Sequence, residues 1–367
     1  MDDLFRFSDE LGPLKIVHIN RPRARLKAIV VVDNVACGHS IGGVRMAPDV
    51  STEEAFRLAR AMTLKNAAAG LPHGGGKSVI YGDPRMNPQE KECVIRAFAT
   101  SITEMTEYIP GPDMGTDERA MAWIKDEIGR SVGIPRELGG IPLDEIGATG
   151  FGLTAAIDVA REYAGIDIKG ARVAVQGFGS VGRHAARFLA QRGAILVAAS
   201  DTSGTLIDPS GLDVAELSAL KMRGEPLTAS PFGKKLKGDA IIDVDCDVWI
   251  PAARPDVLHA DNVGRLRAKI VAQGANIPCT LEAERMLAER GILVLPDFIA
   301  NAGGVICAAT EYHGGTEASA FSMIDEKIRA NTRAVFDEAR RKNILPRAAA
   351  IELAELRIRA AMQMRRW

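Results

Sequence analysis

The sequence predicts an α/β protein of two domains, the second of them built on a doubly wound, mostly parallel sheet. Its 367 residues are about twice the length of a typical domain. From about residue 150, apolar strand-like runs alternate with helical stretches, which is the pattern of a parallel sheet covered by helices. Residues 171–204 contain a strand, a glycine turn, an amphipathic helix and a second strand, and so form a βαβ unit.

The composition excludes several classes of partner. The chain carries 46 basic and 47 acidic residues, a net charge of −1, so we expect no nucleic-acid or membrane surface. The N-terminus, MDDLFRFSDE, is acidic and does not resemble a signal peptide. The apolar run LKAIVVVDNVA is too short to span a bilayer. We therefore predict a cytoplasmic protein.

The five cysteines indicate reduced thiols. Their number is odd and their spacing is not that of a metal site, so we predict no metal. Cys307 is a candidate nucleophile, although a small residue in a tightly packed wall is the favoured interpretation.

The first third of the chain mixes strands such as LKIVHI and LKAIVVVD with helices. One helix begins at the capping-box pair Ser51 and Glu54 and ends at Gly70. Lys65 follows Met62 by three residues and shares its apolar face, which makes this lysine a candidate functional residue. The C-terminal stretch from about residue 323 is also helical.

A glycine motif opens the helix of the βαβ unit. Gly177, Gly179 and Gly182 form G-x-G-x-x-G directly after the strand ARVAVQ. Such glycines permit a tight turn, close approach of a pyrophosphate and close packing of helix on strand, while the helix N-terminus offers free N–H groups. The sequence therefore predicts a dinucleotide site, with another nucleotide or a flavin as the alternative.

Asp201 ends the next strand, about twenty residues further on, where an acid binds the adenosine ribose hydroxyls. Because a carboxylate repels a 2′-phosphate, we predict NAD as the cofactor. Thr202 and Ser203 weaken the preference for NAD over NADP, so use of both cofactors stays open. A turn or helix cap is the alternative role of Asp201.

The segment AGLPHGGGKSVIYGDP at first suggests a phosphate loop, but it lacks the G-x-x-x-x-G-K-[ST] spacing. A dehydrogenase needs a group that accepts a proton and a cation for a substrate carboxylate. Burial of Lys77 among glycines beside Lys65 would lower its pKa and make it a base, and Asp113 could exchange its proton. Surface lysines and a turn-forming aspartate are the competing interpretation.

The chain resembles the glutamate/leucine/phenylalanine/valine dehydrogenase family from about residue 25 to 345. The resemblance is carried, in order, by GGVRMAPDVS, MTLKNAAAGLPHGGGKSVIYGDP, YIPGPDMGTDE, GATGFG, VAVQGFGSVG, AQGANIPCTLEAE and PDFIANAGGV. It implies an N-terminal α/β substrate domain, a Rossmann-type dinucleotide domain and a C-terminal helix that returns to the first domain. The predicted limits are residues 1–146 with about 335–367, and residues 147–334.

The resemblance also implies the reaction, which is oxidation of an L-amino acid to a 2-oxo acid and ammonia, and a homo-oligomer. Lys77 matches the lysine that activates water, Lys65 the lysine that binds the α-carboxylate, and Asp113 the aspartate that shuttles protons. Gly42 and Gly43 match glycines of the substrate pocket. The residues predicted at the cofactor are Gly177, Phe178, Gly179, Ser180, Val181, Gly182, Asp201, Thr202, Ala252, Asn276 and Asn301.

Three positions bear on the preferred amino acid. Glutamate enzymes of this family usually carry a lysine before GGVR, where this chain has Ile41, and a serine three residues after NAGGV, where it has Ala308. Val305 is predicted in the same wall. Burying a glutamate carboxylate against these apolar groups would cost several kcal/mol. We therefore predict an apolar substrate of the leucine, valine or phenylalanine type, with glutamate as the alternative.

Two functions besides amino acid oxidation are compatible with the cofactor motif. A catalytically silent NAD-binding regulator and a hydroxy-acid dehydrogenase would share the cofactor fold. The motifs are also mixed between branches of the family, and Phe151 in GATGFG and His73 before the glycines depart from both. His73 either supplies a polar contact to the pocket or packs under the loop.

Overall fold

The computed structural model describes residues 5–365, which form two compact units, each built on its own sheet. The first unit contains the chain up to Leu143, Val305–Ala320 and the chain from Ile351 onward, and the second contains Asp144–Gly304 and Phe321–Ala350. The predicted α/β class is confirmed. Residues 1–4 and 366–367, which the predicted first domain includes, lie outside the described residues, and the predicted domain limits stay a prediction.

The first unit has a five-stranded sheet in the order β1-β2-β4-β3-β5. β2 is antiparallel to β1 and β4, whereas β3 is parallel to β4 and β5. The strand that follows the first helix therefore lies in the middle of the sheet. The strands are β1 Lys15–Arg21, β2 Leu26–Asn34, β3 Ser40–Ala47, β4 Gly74–Tyr81 and β5 Tyr108–Pro112.

The second unit has a seven-stranded sheet in the order β12-β11-β10-β6-β7-β8-β9. The five strands from β12 to β7 are parallel, as predicted, and β8 and β9 add an antiparallel edge. The strands are β6 Arg172–Gln176, β7 Ile195–Asp201, β8 Gly204–Ile207, β9 Lys234–Leu236, β10 Val248–Pro251, β11 Ile270–Ala272 and β12 Leu293–Leu295.

Helices connect and cover these strands. Over residues 5–365, no helix is both long and apolar enough to cross a membrane. The helices are α1 Thr52–Ala68, α2 Pro88–Ser101, α3 Glu118–Ile128, α4 Leu143–Ile146, α5 Ala148–Ala164, α6 Ser180–Ala190, α7 Val214–Met222, α8 Ala260–Val263, α9 Leu281–Glu289, α10 Asp297–Ala300, α11 Gly303–Tyr312, α12 Glu317–Lys342 and α13 Pro346–Gln363.

The predicted limits of α1 are confirmed by its caps. The Ser51 hydroxyl accepts a hydrogen bond from the Glu54 N–H at 3.1 Å, and Gly70 adopts a φ of +65° just past the helix. The Glu54 carboxylate does not close the capping box, because it binds the guanidinium of Arg45 at 2.6 Å. This ion pair links the start of α1 to β3.

Alternation along β2 shows why the first sheet is buried on both faces. Its even-numbered residues, such as Val30, pack against a cluster that includes Phe98 of α2 and Met121 of α3. Its odd-numbered residues, such as Val31, pack against Ala59 of α1. The sheet is therefore a middle layer between α1 on one face and α2 with α3 on the other.

Candidate functional site

The register of the first sheet places several of the predicted substrate residues on the face that α1 covers. Lys77 of β4 lies directly opposite Val31 of β2 and shares its face. On β3, Ile41 pairs with Gly75, two positions before Lys77, so Ile41 and Gly43 point to the same side. Lys65 lies half-buried in the last turn of α1. Lys77, Ile41 and Gly43 thus lie on the sheet face that α1 covers, and Lys65 lies on α1 itself, whereas Gly42 points to the opposite side of the sheet.

Lys77 belongs to a compact ion cluster. Its ammonium group contacts Oδ2 of Asp113, which directly follows β5, and Arg45 Nε donates to Oδ1 of the same carboxylate at 2.9 Å. The Lys77 side chain is only 5% exposed and that of Asp113 17%. The backbone N–H of Met114 donates to Asp113 Oδ1 at 2.6 Å and fixes the carboxylate further.

Burial and charge act in opposite directions on this pair. Burial lowers the pKa of Lys77 below its ordinary 10.5, the Asp113 carboxylate opposes this, and the Arg45 guanidinium adds to the lowering. Burial raises the pKa of Asp113, but the charges of Lys77 and Arg45 outweigh it, so this pKa lies below its ordinary 3.8. Asp113 is therefore ionised, and Lys77 releases its proton more readily than a free lysine does.

The second cation of the cluster is Arg45, and this residue was not predicted. The sequence predicts that Lys65 helps to lower the pKa of Lys77, and the structure adds Arg45 as a cation that lowers it. The pairing of β3 with β4 places Arg45 near Lys77, because Arg45 lies opposite Val79, two residues beyond Lys77 on β4. Its place in the motif GGVR was the available signal.

The glycines of this segment allow unusually close approach. A Cβ on Gly43 would lie 2.7 Å from the Asp113 Cβ, and one on Gly75 would lie 2.0 Å from the backbone nitrogen of Thr63 in α1. A Cβ on Gly42 would lie 1.7 Å from the carbonyl oxygen of Gly76. Side chains at these positions would force β3, α1 or the carboxylate away from Lys77.

The predicted wall residues Val305 and Ala308 lie on α11, in the part of this helix that belongs to the first unit. The Glu311 carboxylate holds the helix there by accepting hydrogen bonds from the N–H groups of Gly133 at 2.8 Å and Ile141 at 2.7 Å. Ala308 is buried and Val305 half-buried. No sequence motif indicated this role of Glu311.

His73 is buried, and both of its ring nitrogens meet protein atoms. Nδ1 lies 3.0 Å from the His39 carbonyl oxygen, and Nε2 lies 3.0 Å from Nε2 of His313. A carbonyl oxygen only accepts, so Nδ1 carries the hydrogen, and in the neutral ring Nε2 accepts from His313. These contacts favour packing over a direct contact with the substrate pocket.

Cys307 is buried on α11, and this burial raises the pKa of its thiol to about 12. The thiol is therefore protonated near neutral pH, which favours the packing interpretation over a nucleophile.

The glycine turn of the second unit has the geometry expected of a dinucleotide loop. Gly177 has a φ of +90°, and a Cβ on Gly182 would lie 2.1 Å from the Gly177 carbonyl oxygen. A Cβ on Gly179 would meet nothing within 4 Å, so the backbone is open there, and Ser180 begins α6. Gly177 therefore provides the turn and Gly182 the close packing, while Gly179 leaves space for a phosphate at the helix N-terminus.

A cleft of about 710 Å³ lies at the carboxyl ends of β6, β7 and β10. Open parallel sheets bind ligands at the carboxyl ends of their strands, at the point where the strand order reverses. Here that point is β6, which has β7 on one side and β10 on the other. The residues of the cleft include Gly177, Phe178, Gly179, Asp201, Thr202 and Ala252 from the predicted set. The shape, the open glycine and the helix terminus fit a dinucleotide.

Asn276 and Asn301 are brought together by the loops after β11 and β12. Asn301 Nδ2 donates to Asn276 Oδ1 at 3.0 Å, although 25 residues separate them in sequence. Ala252 continues β10, with its N–H donating to the Gln176 carbonyl oxygen at 2.7 Å. Among the predicted cofactor residues, Val181 lies in the first turn of α6.

The fold and the cleft define a class: an α/β protein in which one unit carries a buried lysine–carboxylate cluster and the other a dinucleotide-type glycine turn. Two sequence profiles match the chain. The profile of Glutamate/Leucine/Phenylalanine/Valine dehydrogenase matches residues 139–366, and that of the Glu/Leu/Phe/Val dehydrogenase dimerisation domain matches residues 16–130.

Three curated relatives cover most of the chain. The glutamate dehydrogenase of Aeropyrum pernix is 39% identical over 91% of this chain and 85% of its own length. The NADP(+)-dependent glutamate dehydrogenase of Pyrobaculum calidifontis is 37% identical over 92% of this chain and 86% of its own length. The NAD-specific glutamate dehydrogenase of Staphylococcus aureus is 36% identical over 91% and 85%.

Two solved structures have the same fold. A hetero-hexameric glutamate dehydrogenase from Thermus thermophilus, in a Leu-bound form, matches with a TM-score of 0.87 at 30% identity, over 97% of this chain and 90% of that one. An L-tryptophan dehydrogenase from Nostoc punctiforme matches with a TM-score of 0.75 at 27% identity, over 96% and 97%.

The chain belongs to the glutamate/leucine/phenylalanine/valine dehydrogenase family. It is therefore an amino acid dehydrogenase, an oxidoreductase that acts on a CH–NH2 group, and the predicted enzyme class is confirmed. For the substrate, the relatives support glutamate better than the predicted apolar amino acid.

Proposed function

We propose that this protein catalyses the reversible, NAD-dependent oxidative deamination of an L-amino acid to a 2-oxo acid and ammonia, and that glutamate is the amino acid. The observation that carries the reaction is the buried cluster of Lys77, Asp113 and Arg45. It offers a base whose pKa burial lowers and an ionised proton acceptor next to it. These two contacting side chains thus supply the two proton acceptors of the reaction, one for the attacking water and one for the substrate amino group.

Each predicted site residue of the first unit has a distinct role in the proposed reaction. Lys65 binds the substrate α-carboxylate, and Asp113 accepts a proton from the substrate amino group. Lys77 removes a proton from the water molecule that attacks the imino carbon, after which ammonia leaves. When bound, NAD supplies the acceptor for the hydride that leaves the α-carbon. Gly42 and Gly43 line the substrate pocket in this proposal, and their lack of side chains lets the Gly76 carbonyl and the Asp113 side chain lie close to β3.

The residues of the second unit would hold the cofactor. Gly177, Gly179 and Gly182 shape the turn, and α6 presents its N-terminal N–H groups from Ser180 onward. Asn276 and Asn301 lie at the ends of neighbouring parallel strands, where a nicotinamide would be expected. The remaining predicted contacts come from Phe178, Val181, Asp201, Thr202 and Ala252.

Glutamate as the substrate is supported by the relatives. The A. pernix, P. calidifontis and S. aureus enzymes named above all act on glutamate by name, at 36–39% identity over most of this chain. The S. aureus enzyme is NAD-specific and the P. calidifontis enzyme uses NADP, which supports NAD with NADP left open.

An apolar amino acid is the second candidate, and the side chains of Ile41 and Ala308 favour it. Ile41 and Ala308 are apolar and buried, with 3% and 7% of their surface exposed. Because their side chains are apolar, neither brings a charge or a hydrogen bond to the predicted pocket. A glutamate γ-carboxylate placed against them would lose its hydration at a cost of several kcal/mol. A tryptophan dehydrogenase shares the fold.

A panel of L-amino acids with NAD and with NADP separates the two candidates through the absorbance of the reduced cofactor. If glutamate is the substrate, its kcat/KM exceeds that of leucine, valine and phenylalanine. The variant Ile41→Lys would place a cation beside Gly42, so we expect it to raise glutamate turnover relative to leucine in either case. Leucine as the best substrate of the unaltered enzyme would refute glutamate.

The reverse reaction separates an amino acid dehydrogenase from the two remaining classes of protein. Reduction of 2-oxo acids by NADH should require ammonium, because the imino acid forms from it. Equal rates without ammonium would indicate a hydroxy-acid dehydrogenase, and NADH binding with no turnover of any amino acid would indicate a silent NAD-binding protein.

We also infer an oligomer, since the N-terminal segment matches the family's dimerisation domain and the Thermus neighbour is hetero-hexameric by name; that its subunits are identical stays a prediction. A cytoplasmic location stays a prediction.

A further inference from the structure

A buried arginine joins the two segments that carry Asn276 and Asn301. Arg347 belongs to the second unit and is the second residue of α13, and its side chain is 12% exposed. A cation in the first turn of a helix is unfavourable for the helix dipole, so the stability of α13 does not explain this arginine. Its guanidinium group instead contacts buried polar side chains.

Three side chains share this guanidinium group. Nε donates to both carboxylate oxygens of Glu284 on α9 at 2.9 Å, and Nη2 donates to Oε1 of Gln273 at 2.9 Å. Nη1 lies 2.9 Å from Oδ1 of Asp297, the first residue of α10. The side chains of Glu284 and Asp297 are 3% and 7% exposed. Arg347 therefore supplies a countercharge to two buried carboxylates.

Asp297 connects Arg347 to both asparagines. Its Oδ2 accepts a hydrogen bond at 2.9 Å from the N–H of Ile277, the residue after Asn276. Its carbonyl oxygen accepts a hydrogen bond at 2.7 Å from the N–H of Asn301. One residue, held by Arg347, thus fixes the backbone at both asparagines.

The segment after β11 depends on such contacts. Ile277 has a φ of +49°, a left-handed conformation that is strained for a β-branched residue. Strain of this kind persists only where the surrounding structure imposes the conformation. Gln273 directly follows β11, so the contacts of Arg347 and Asp297 hold the segment at Gln273 and again at Ile277, with Asn276 between them.

We propose that Arg347 is a positioning residue for hydride transfer, which acts through Asp297 to hold Asn276 and Asn301 in place at the nicotinamide. This proposal rests on the proposed function, in which these asparagines lie at the nicotinamide and NAD accepts the hydride. Arg347 itself touches neither the substrate nor the cofactor. Because a misplacement of about 1 Å costs a reaction up to about 100-fold in rate, we expect loss of Arg347 to slow hydride transfer by about 10- to 100-fold.

The test is a single-turnover measurement on the full-length protein, which follows the appearance of NADH after mixing with NAD and the best substrate of the amino acid panel. Its rate constant does not depend on how much of the preparation is folded. In Arg347→Met this rate constant should fall by about 10- to 100-fold. It should fall further when the amino acid carries deuterium on its α-carbon, which identifies hydride transfer as the slow step.

The KM for the amino acid gives a second readout. Lys65 and Lys77 belong to the first unit, so the KM in Arg347→Met should stay within about threefold of that of the unaltered protein while kcat falls.

Two further variants separate positioning from general stability. Arg347→Lys keeps a cation for the buried carboxylates but lacks the planar fork that bridges them, so it should fold and still slow hydride transfer by about 10-fold. Arg329 also bridges two carboxylates of the second unit, those of Asp158 on α5 and Asp325 on α12. Arg329→Met should therefore leave the single-turnover rate constant unchanged.

The proposal would be overturned by unaltered rate constants in both Arg347 variants, by equal slowing in Arg329→Met, or by a slowed step that deuterium does not affect. If the unaltered protein instead formed no NADH with any amino acid, the proposed function itself would be refuted, and the role of Arg347 with it.

Discussion

At the scale of single residues, the state of Lys77 depends on the charges around a single carboxylate. Asp113 receives Lys77 on one oxygen and Arg45 on the other, and Arg45 also binds Glu54. Arg45 thus acts on Lys77 in two ways, by direct repulsion and by sharing the negative charge of Asp113. Both effects favour the neutral amine.

Replacing Arg45 by Met should therefore move the pH dependence of catalysis. Without the guanidinium, the pKa of Lys77 rises, since a repelling cation is lost and the Asp113 and Glu54 carboxylates attract Lys77 more strongly. Activity that requires neutral Lys77 should then rise with pH at a higher midpoint. The measurement is kcat/KM from about pH 6 to pH 11, which reports the free enzyme.

Arg85→Met is the matched control for this prediction, because Arg85 belongs to the same unit and its side chain is 90% exposed. We expect its profile to follow that of the unaltered enzyme. A midpoint that stays in place or moves to lower pH in Arg45→Met would contradict the role given to Arg45.

At the scale of elements, β4 and α11 position the site. β4 lies between β2 and β3, so it is buried on both faces and holds Lys77 on the α1 face. α11 is tied to the first unit near its C-terminal end, where Glu311 binds backbone N–H groups and His313 meets His73 just before β4. The wall residues of α11 are thereby held in the unit that carries Lys77.

The histidine contact makes this link sensitive to acid. Burial lowers the pKa of His73 to about 4, whereas an unfolded histidine titrates near 6.5. Above pH 6.5 both states are neutral, and the contact contributes its full stability. As the pH falls from 6.5 to 4, the unfolded chain takes up a proton that the native state does not. This costs on the order of 3 kcal/mol in total.

His73→Gln should therefore lose less stability between pH 7.5 and pH 5 than the unaltered protein, by about 2 kcal/mol, because glutamine does not titrate. Urea unfolding followed at the two pH values measures the difference. His18, exposed on β1, provides the control His18→Gln, which should keep the full acid sensitivity. If His73→Gln and the unaltered protein lost the same unfolding free energy between pH 7.5 and pH 5, His73 would not be a source of the acid sensitivity.

Local patterns predicted some parts of this architecture well. The turn at Gly177 and the caps of α1 depend on neighbouring residues, so the sequence was sufficient for them. The short strand β9, Lys234–Leu236, was missed because all three of its residues are exposed and no apolar alternation marks it.

Contacts between distant segments could not be predicted in this way. His313 lies 240 residues from His73, and Lys221 reaches Asp201 from a helix rather than from the strand end. The central place of β4 also depends on pairing with β2 and β3, which its own residues do not specify.

At the scale of the whole molecule, the two units carry separable tasks in the proposed function. The cluster of Lys77 and Asp113 belongs to the first unit, and the glycine turn with its cleft belongs to the second. Loss of the base should therefore stop the chemistry and leave cofactor binding in place.

The most direct test is the variant Lys77→Ala, with turnover of its best amino acid and NADH binding measured on the same preparation. We predict a loss of kcat of ~100-fold or more, which is the lower range for removal of a positioned proton-transfer group. NADH affinity should stay within about threefold of the unaltered enzyme. Turnover near the unaltered rate would contradict the assignment of Lys77 as the base.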